Sequence, residues 1–168
     1  MRRNPQSPVR RKTAGGVRLA CLTAADNIRS LKMNRSRTRC LGYSVFDDEQ
    51  VMRVPLVENR SSLVERLVFN QGRPVVTHTV TLVADRNMAQ AWLEPDFAAE
   101  AQRSGIVVDL MLHDGRRIFA GCSAHFAVEQ PMRIKSLTAD SGAKPSDVPT
   151  LTLVLESVDT DFAQQPNN

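Results

Sequence analysis

The run Val75-Val-Thr-His-Thr-Val-Thr-Leu-Val-Ala84 decides the fold class of this 168-residue chain. Apolar residues at every second position from 76 to 82, interrupted by His78, share one face of an extended strand, and threonines dominate the other face. A second β-type run covers residues 63–69, and Asn70-Gln-Gly72 separates the two runs. They are therefore predicted to form an antiparallel β-hairpin with a short glycine-containing loop.

Further strand-type runs lie on both sides of this hairpin. They cover residues 42–46, 51–57, 106–112, 117–122, 131–139 and 150–158. The Asp114-Gly115 step between two apolar runs is the strongest hairpin signal in the chain. Pro55 lacks a backbone N–H, so the run that contains it is expected at the edge of a sheet. The patterns together predict seven to nine strands.

Residues 86–103 interrupt the β pattern with a helix-type stretch. Alanines are frequent there, and Arg103 followed by Gly105 is typical of a helix end. Pro95 lies inside the stretch, which is therefore either kinked or divided into two short helices in series. Trp92 is expected to anchor this helix to the sheet.

The charge of the chain is unevenly distributed. Residues 1–40 contain eleven of the 22 Lys and Arg residues and a single acid, Asp26, which gives +10. Residues 41–168 contain the other eleven bases against seventeen acids, which gives −6. The pI near 9.3 thus averages a basic arm and an acidic body, and it does not by itself indicate a nucleic-acid-binding domain.

These observations predict a mainly β protein, a β-sandwich or partly closed barrel with one flanking α-helix and a basic N-terminal arm. The arm is assigned to residues 1–40, a single β-rich domain to 41–161 and a polar C-terminal tail to 162–168. Within the arm, residues 1–16 are expected to be flexible, and residues 29–39 are interpreted as a solvated loop or partner-binding arm. Between them, residues 17–22 suggest a short strand, followed by a single helical turn through Leu31.

No common catalytic motif is present. The chain lacks a Gly-x-Gly-x-x-Gly sequence, a phosphate loop, a Gly-x-Ser-x-Gly elbow and a Cys-x-x-Cys pair. His113, Cys122 and His125 are the best candidates for a zinc site or a cysteine nucleophile, but a fourth ligand is missing and Cys122 falls on an apolar face. We therefore expect no enzymatic activity, no cofactor and no metal.

Other polar residues have structural explanations. His78 is expected to be a core or interface histidine, because it lies on the apolar face of its strand. The acid pairs Glu94 with Asp96 and Asp159 with Asp161 are interpreted as helix capping and solvation. The three cysteines are widely spaced and odd in number, which indicates reduced thiols.

Basic residues of the arm are the candidates for partner binding. They are Arg10, Arg11, Lys12, Lys32, Arg35, Arg37 and Arg39. No aromatic residue precedes Tyr43, so the arm offers no base stacking and only salt-dependent contact with phosphates. Docking onto the acidic body of a neighbouring copy is the other use of this charge, and it is the one we favour.

No membrane association is expected. The longest apolar run, residues 106–112, is interrupted by Asp109 and is far shorter than the roughly 20 residues that a transmembrane helix needs. Arg2 and Arg3 are not followed by the apolar segment of a secretion signal. The chain is expected to be made and kept in a cytoplasm, or released without such a signal.

Residues 51–161 show a particular order of elements, namely residues 79–84, a helix, and then residues 105–110, 114–115, 121, 129–134, 141–142, 149–157 and 159–160. This order resembles that of structural proteins of bacteriophage tails, of the tail-tube or baseplate type, including those of phage-like elements of Bacteroidetes. It implies a β-sandwich or barrel with a flanking helix that assembles into rings whose sheets join across subunits, with no catalytic residues. The basic N-terminal segment departs from that pattern.

The leading hypothesis is therefore a non-enzymatic structural subunit of a phage tail or tail-like assembly. Its expected partners are copies of itself in a ring and other tail proteins, and its expected place is the virion. Assembly through sheet edges would protect strands that are otherwise unpaired. The alternative is a nucleic-acid-associated accessory protein that contacts DNA non-specifically through the basic arm. A third hypothesis is a small enzyme or metal protein that uses His113, Cys122 and His125.

Overall fold

Strands dominate the computed structural model, which describes residues 15–166. Ten strands and one α-helix are present in that range. They are β1 Val17–Ala24, β2 Ile28–Met33, β3 Cys40–Val45, β4 Met52–Pro55, β5 Ser62–Asn70, β6 Arg73–Asp85, α1 Pro95–Arg103, β7 Ile106–Leu112, β8 Arg117–Ala120, β9 Arg133–Asp140 and β10 Thr150–Asp159. Short 3₁₀ turns lie at Ala25–Asn27, Asp48–Gln50 and Gln90–Leu93.

Two four-stranded antiparallel sheets form the body of the protein. Sheet I has the order β4-β1-β7-β8, sheet II has the order β5-β6-β10-β9, and β2 and β3 form a separate hairpin. The main core contains residues of both sheets, among them Leu22 and Leu110 from sheet I and Leu82 and Leu153 from sheet II. The fold is therefore mainly β with a flanking helix, as predicted, and the described strands form no closed barrel.

The β5–β6 hairpin is confirmed, with residues 62–70 paired to residues 73–81. Gln71 and Gly72 form its two-residue loop, and both have positive φ, 49° and 78°. Two successive positive φ values are the signature of a type I′ turn, whose twist matches that of the strands it joins. The chain reversal thus occurs where the sequence predicts it.

The β2–β3 hairpin covers the face of sheet I that points away from the main core. A second, smaller cluster forms there from buried Cys40, Val107, Phe119 and Cys122, with partly buried apolar residues around it. Val107 alternates along β7 with Val108, which belongs to the main core. β7 is therefore buried on both faces, which explains why its sequence is almost continuously apolar.

The structure moves the start of the β-rich domain from residue 41 back to Val17. β1 lies between β4 and β7 in sheet I, and its Ala20 and Leu22 are buried in the main core. The helical turn is limited to Ala25–Asn27, and residues 29–39 belong to β2 and to the loop that joins it to β3. Net charge is a poor guide to where this domain begins, because exposed basic side chains in β1 and β2 lie next to buried or half-buried residues.

The helical region consists of two short elements in series, one of the two arrangements predicted. Pro95 occupies the first turn of α1, and Trp92 lies in the preceding 3₁₀ turn, where it is buried in the main core. The Gln102 side chain of α1 donates a hydrogen bond to the Ile134 carbonyl of β9 at 3.0 Å. Between residues 15 and 166, no helix has the length and hydrophobicity that crossing a membrane requires.

Part of the segment assigned to a polar C-terminal tail is built into the fold. Ala163 and Gln164 are buried, and Gln164 exchanges backbone hydrogen bonds with Phe119 of β8. The side chain of Gln164 also accepts a hydrogen bond from the Cys40 N–H at 2.9 Å. Gln164 thus provides hydrogen-bond partners for buried backbone groups of Cys40 and Phe119. The polar composition of the segment does not reveal this role.

Candidate self-association surface

β5 has a neighbouring strand on one side only within residues 15–166, because it forms the edge of sheet II. The two-residue loop makes Asn70 and Arg73 a hydrogen-bonded pair. From that pair on, every second residue of β5 directs its backbone groups toward β6. Alternation from that pair directs the N–H and C=O groups of Leu63, Glu65, Leu67 and Phe69 away from β6. Pro74 opposite Phe69 fits this register, since it has no N–H to donate there.

Large apolar side chains are exposed along this edge. Val64 and Val68 lie on the outer face of β5, where 59% and 40% of their surface is accessible. Leu67 and Phe69 lie on the inner face but remain exposed, Phe69 by 70%, because the hairpin extends past the core. Apolar side chains beside unpaired strand groups are typical of a protein interaction surface.

The charged residues of the hairpin differ in their surroundings. Arg66 and Arg73 are exposed and form no ion pair with any residue from 15 to 166. Glu65, in contrast, points inward and lies 3.0 Å from His78 Nδ1 on β6. The tip of the hairpin is therefore basic, while its base contains an internal polar contact.

Glu65, His78 and Ser157 lie side by side on three neighbouring strands, β5, β6 and β10. Glu65 Oε1 also accepts a hydrogen bond from the Ala163 N–H at 2.5 Å, which fixes the C-terminal segment over this row. Burial by itself raises the pKa of Glu65, but the close contact with His78 and the hydrogen bond from the Ala163 N–H outweigh burial and bring the pKa below its ordinary value.

This row contains the residue types of a Ser–His–Glu hydrolase triad, and its acid faces Nδ1 as in such triads. Ser157 Oγ, however, is buried and has no hydrogen-bond partner in the described structure. A nucleophile in that position is closed to substrate. The contacts of Glu65 instead give the row a clear structural role, which is to attach the C-terminal segment to sheet II.

The predicted partner-binding residues lie in different parts of the chain, and the structure describes only some of them. Arg10, Arg11 and Lys12 lie outside the described residues. Lys32 is exposed on β2, and Arg39 is half-buried where the loop joins β3. Arg35 and Arg37 are exposed in that loop, which the side chain of Asn34 organises by accepting hydrogen bonds from the Thr38 and Arg39 N–H groups.

The candidate metal or nucleophile residues are not brought together. His113 lies at the β7–β8 turn, whereas Cys122 and His125 follow the other end of β8. No group of three or more His, Cys, Asp or Glu side chains between residues 15 and 166 is placed to hold a metal ion. Cys122 is buried with Cys40 in the smaller core, where the Cys40 thiol donates a hydrogen bond to the Gly42 carbonyl at 3.2 Å.

Sequence reasoning missed the two pairings that the tertiary structure makes. Cys40 and Cys122 are 82 positions apart, and no spacing signal connects them. The Glu65–His78 contact had a partial signal, because the predicted hairpin brings residues 63–69 alongside residues 75–84, but the register that places these two residues opposite each other comes from the two-residue loop Gln71-Gly72. Comparison of the chain with protein-family models, curated proteins and solved structures finds no match.

Proposed function

We propose that this protein is a non-enzymatic structural subunit of a phage tail or tail-like assembly, in which copies associate through their β-sheets. The resemblance in element order supports the tail assignment, and rings and other tail proteins are the partners that it implies. Incorporation into the virion follows from that assignment. The unprotected edge of β5 supports self-association.

The comparison of β5 with the other sheet edges carries this proposal. β4 is four residues long and contains Pro55, and β8 is equally short and is bridged to Gln164. β9 accepts a side-chain hydrogen bond from α1. β5 has nine residues and no proline, and no strand within residues 15–166 pairs with its outer edge, although the Ala163 N–H bonds to the side chain of its Glu65. A long edge strand with exposed apolar side chains is a favourable site for pairing with a strand of another chain.

The experiment is sedimentation of the purified chain from about 1 to 100 μM, the range in which weak assembly becomes visible. We expect concentration-dependent association of the wild type and a monomer for the double variant Val64→Lys with Val68→Lys, because lysines block edge pairing. Val148→Lys is the matched control, since Val148 is 58% exposed in a loop remote from β5 in sequence.

Association of the double variant at wild-type strength would contradict the use of β5, and a wild type that stays monomeric would contradict self-association as a whole. Electron microscopy of the assembled material tests the tail assignment separately. Closed rings or tubes are expected for a tail subunit. A simple two-fold dimer without further growth would contradict that assignment while leaving the β5 contact intact.

The alternative function is non-specific nucleic-acid contact. The observation that favours it is the exposure of Lys32, Arg35 and Arg37 on one hairpin. The basic residues Arg10, Arg11 and Lys12 precede this hairpin in the sequence and lie outside the described residues. Fluorescence anisotropy with a labelled duplex at several salt concentrations tests it. Tight binding whose salt slope falls by about 2 when Arg35 and Arg37 become Glu would favour this alternative.

A further inference from the structure

The two buried cysteines lie in the smaller core, between the β2–β3 hairpin and sheet I. Cys40 begins β3, whereas Cys122 follows the end of β8, so one belongs to the hairpin and the other is attached to the sheet. The other buried members of this core within residues 15–166 are Val107 and Phe119. Both cysteines are free thiols. The fold thus brings together two thiols that are 82 positions apart in the sequence.

These two thiols change each other's ionisation. The Cys122 side chain stabilises the Cys40 thiolate and lowers the pKa of Cys40 from its ordinary value of 9.0 to about 7. The pKa of Cys122 is raised, first by its neighbour Cys40 and then by burial. Effects of this kind require side chains in close proximity, which agrees with their place in one small core. Near neutral pH, Cys40 is therefore partly in the thiolate form, which is the nucleophile in thiol chemistry.

The surroundings of the cysteine pair narrow its possible chemistry. A structural zinc site needs four ligands, and no further His, Cys, Asp or Glu within residues 15–166 completes such a group around the pair. The third thiol, Cys21, lies outside the smaller core, opposite Arg53 and Asp109 in sheet I. The reaction open to two neighbouring thiols is oxidation to a disulfide.

We propose that Cys40 and Cys122 are a redox-active pair, which glutathione disulfide converts to a disulfide that ties the β2–β3 hairpin to sheet I. The Cys40 thiolate attacks one sulfur of the oxidant and releases the first glutathione thiolate. The Cys122 thiolate then attacks the Cys40 sulfur of the mixed disulfide and releases the second. The two protein thiols are oxidised and the oxidant is reduced to two molecules of glutathione, which take up the two thiol protons.

The oxidant reaches these buried thiols through local opening of the hairpin. Within residues 15–166, β2 and β3 pair with each other and with no strand of the two larger sheets. The hairpin contacts the body through side chains, such as Tyr43 against Phe119 and the Gln164 amide at the Cys40 N–H. An element held in this way opens at a lower cost in free energy than a central strand. Oxidation is therefore slow, and the bond keeps the hairpin closed once it has formed.

Incubation of the full chain with glutathione disulfide at pH 7.5, about one unit below the ordinary thiol pKa, tests the pair. Acid quenching, digestion and mass spectrometry without reduction are expected to find one protein disulfide, between Cys40 and Cys122, which dithiothreitol removes. Cys21→Ser is the matched control and should form the same bond, because Cys21 lies outside the smaller core. Absence of the bond, or equal amounts of bonds that include Cys21, would overturn the proposal.

Urea unfolding tests whether the bond locks the hairpin. Oxidation should raise the urea midpoint of the wild type and of Cys21→Ser, because a link between residues so far apart in the sequence restricts the unfolded chain. Cys122→Ala should have the same midpoint before and after oxidation. A wild-type midpoint that stays constant or falls would contradict the lock. Peptide mapping of the wild type needs no variant, so it decides the proposal even if Cys122→Ala does not fold. Neither measurement depends on association, so the proposed function is tested separately.

Discussion

Glu65 and His78 face each other across β5 and β6, with 3.0 Å between Glu65 Oε1 and His78 Nδ1. The same carboxylate oxygen accepts the Ala163 N–H at 2.5 Å. One acid thus joins the two strands of the hairpin to the C-terminal segment. Because Glu65 is mostly buried, loss of its charge leaves the His78 ring and the Ala163 N–H without their partner.

Glu65→Gln is expected to lower the free energy of unfolding at pH 7 by about 1–3 kcal/mol, the range for leaving a buried hydrogen-bonding group without its partner. The pKa of Glu65 is lower in the folded protein than its ordinary value of 4.5. Its contribution is therefore fully present above that value and is lost as the pH falls through the folded pKa. In urea denaturation between pH 7 and 3, the free energy of unfolding should fall less steeply with decreasing pH in the variant than in the wild type.

Glu58→Gln is the control for this pH dependence, because Glu58 is exposed and outside the row. Its unfolding free energy should remain within about 0.5 kcal/mol of the wild type. A variant at position 65 whose stability follows the wild-type pH curve would show that the Glu65 contacts do not stabilise the fold.

Gly121 and Gly115 form a matched pair for backbone strain, since both have φ of +85°. A Cβ at Gly121 would lie 2.6 Å from the Ile106 carbonyl oxygen, whereas a Cβ at Gly115 meets no atom within 4 Å. Gly115→Ala should lower the free energy of unfolding by about 1–2 kcal/mol, because alanine must adopt the left-handed conformation there. Gly121→Ala should cost about 3 kcal/mol or more in thermal or urea unfolding, and equal costs would contradict the close approach.

Phe119 is the central residue of the smaller core under the β2–β3 hairpin. It is fully buried, and its ring meets Tyr43 edge-on at 5.6 Å between centroids. Phe119→Ala should lower the free energy of unfolding by about 3–5 kcal/mol, because it leaves a cavity in this core. Tyr43→Phe keeps the ring and removes only a 3.5 Å contact with Thr23, so its unfolding free energy should change by less than about 1 kcal/mol.

The three cysteines should differ in accessibility to alkylating reagents. Cys40 and Cys122 are buried in the smaller core, whereas Cys21 is half-exposed. Mass spectrometry should therefore find one modified thiol after brief treatment of the folded protein and three after treatment in denaturant. Rapid modification of all three thiols in the folded protein would show that the β2–β3 hairpin does not cover the sheet stably.

Local sequence patterns determined the strands that bury one face, the hairpin loops and the helix position. Side chains alternate between two faces along residues 76–82, and Gln71-Gly72 and Asp114-Gly115 occur where the chain must reverse. These signals depend on side-chain period and on backbone conformations that few residues adopt. They act over a few residues, so they can be recognised without knowledge of the rest of the fold.

Only the tertiary structure decided which strands are neighbours, and with it the candidate surface. β1 belongs to a basic region by composition but is a central strand, because its burial depends on β4 and β7, which lie far along the chain. The edge position of β5 likewise follows from the order of sheet II. Contacts such as Cys40 with Cys122 depend on how the sheets pack together, and local periodicity carries no information about that packing.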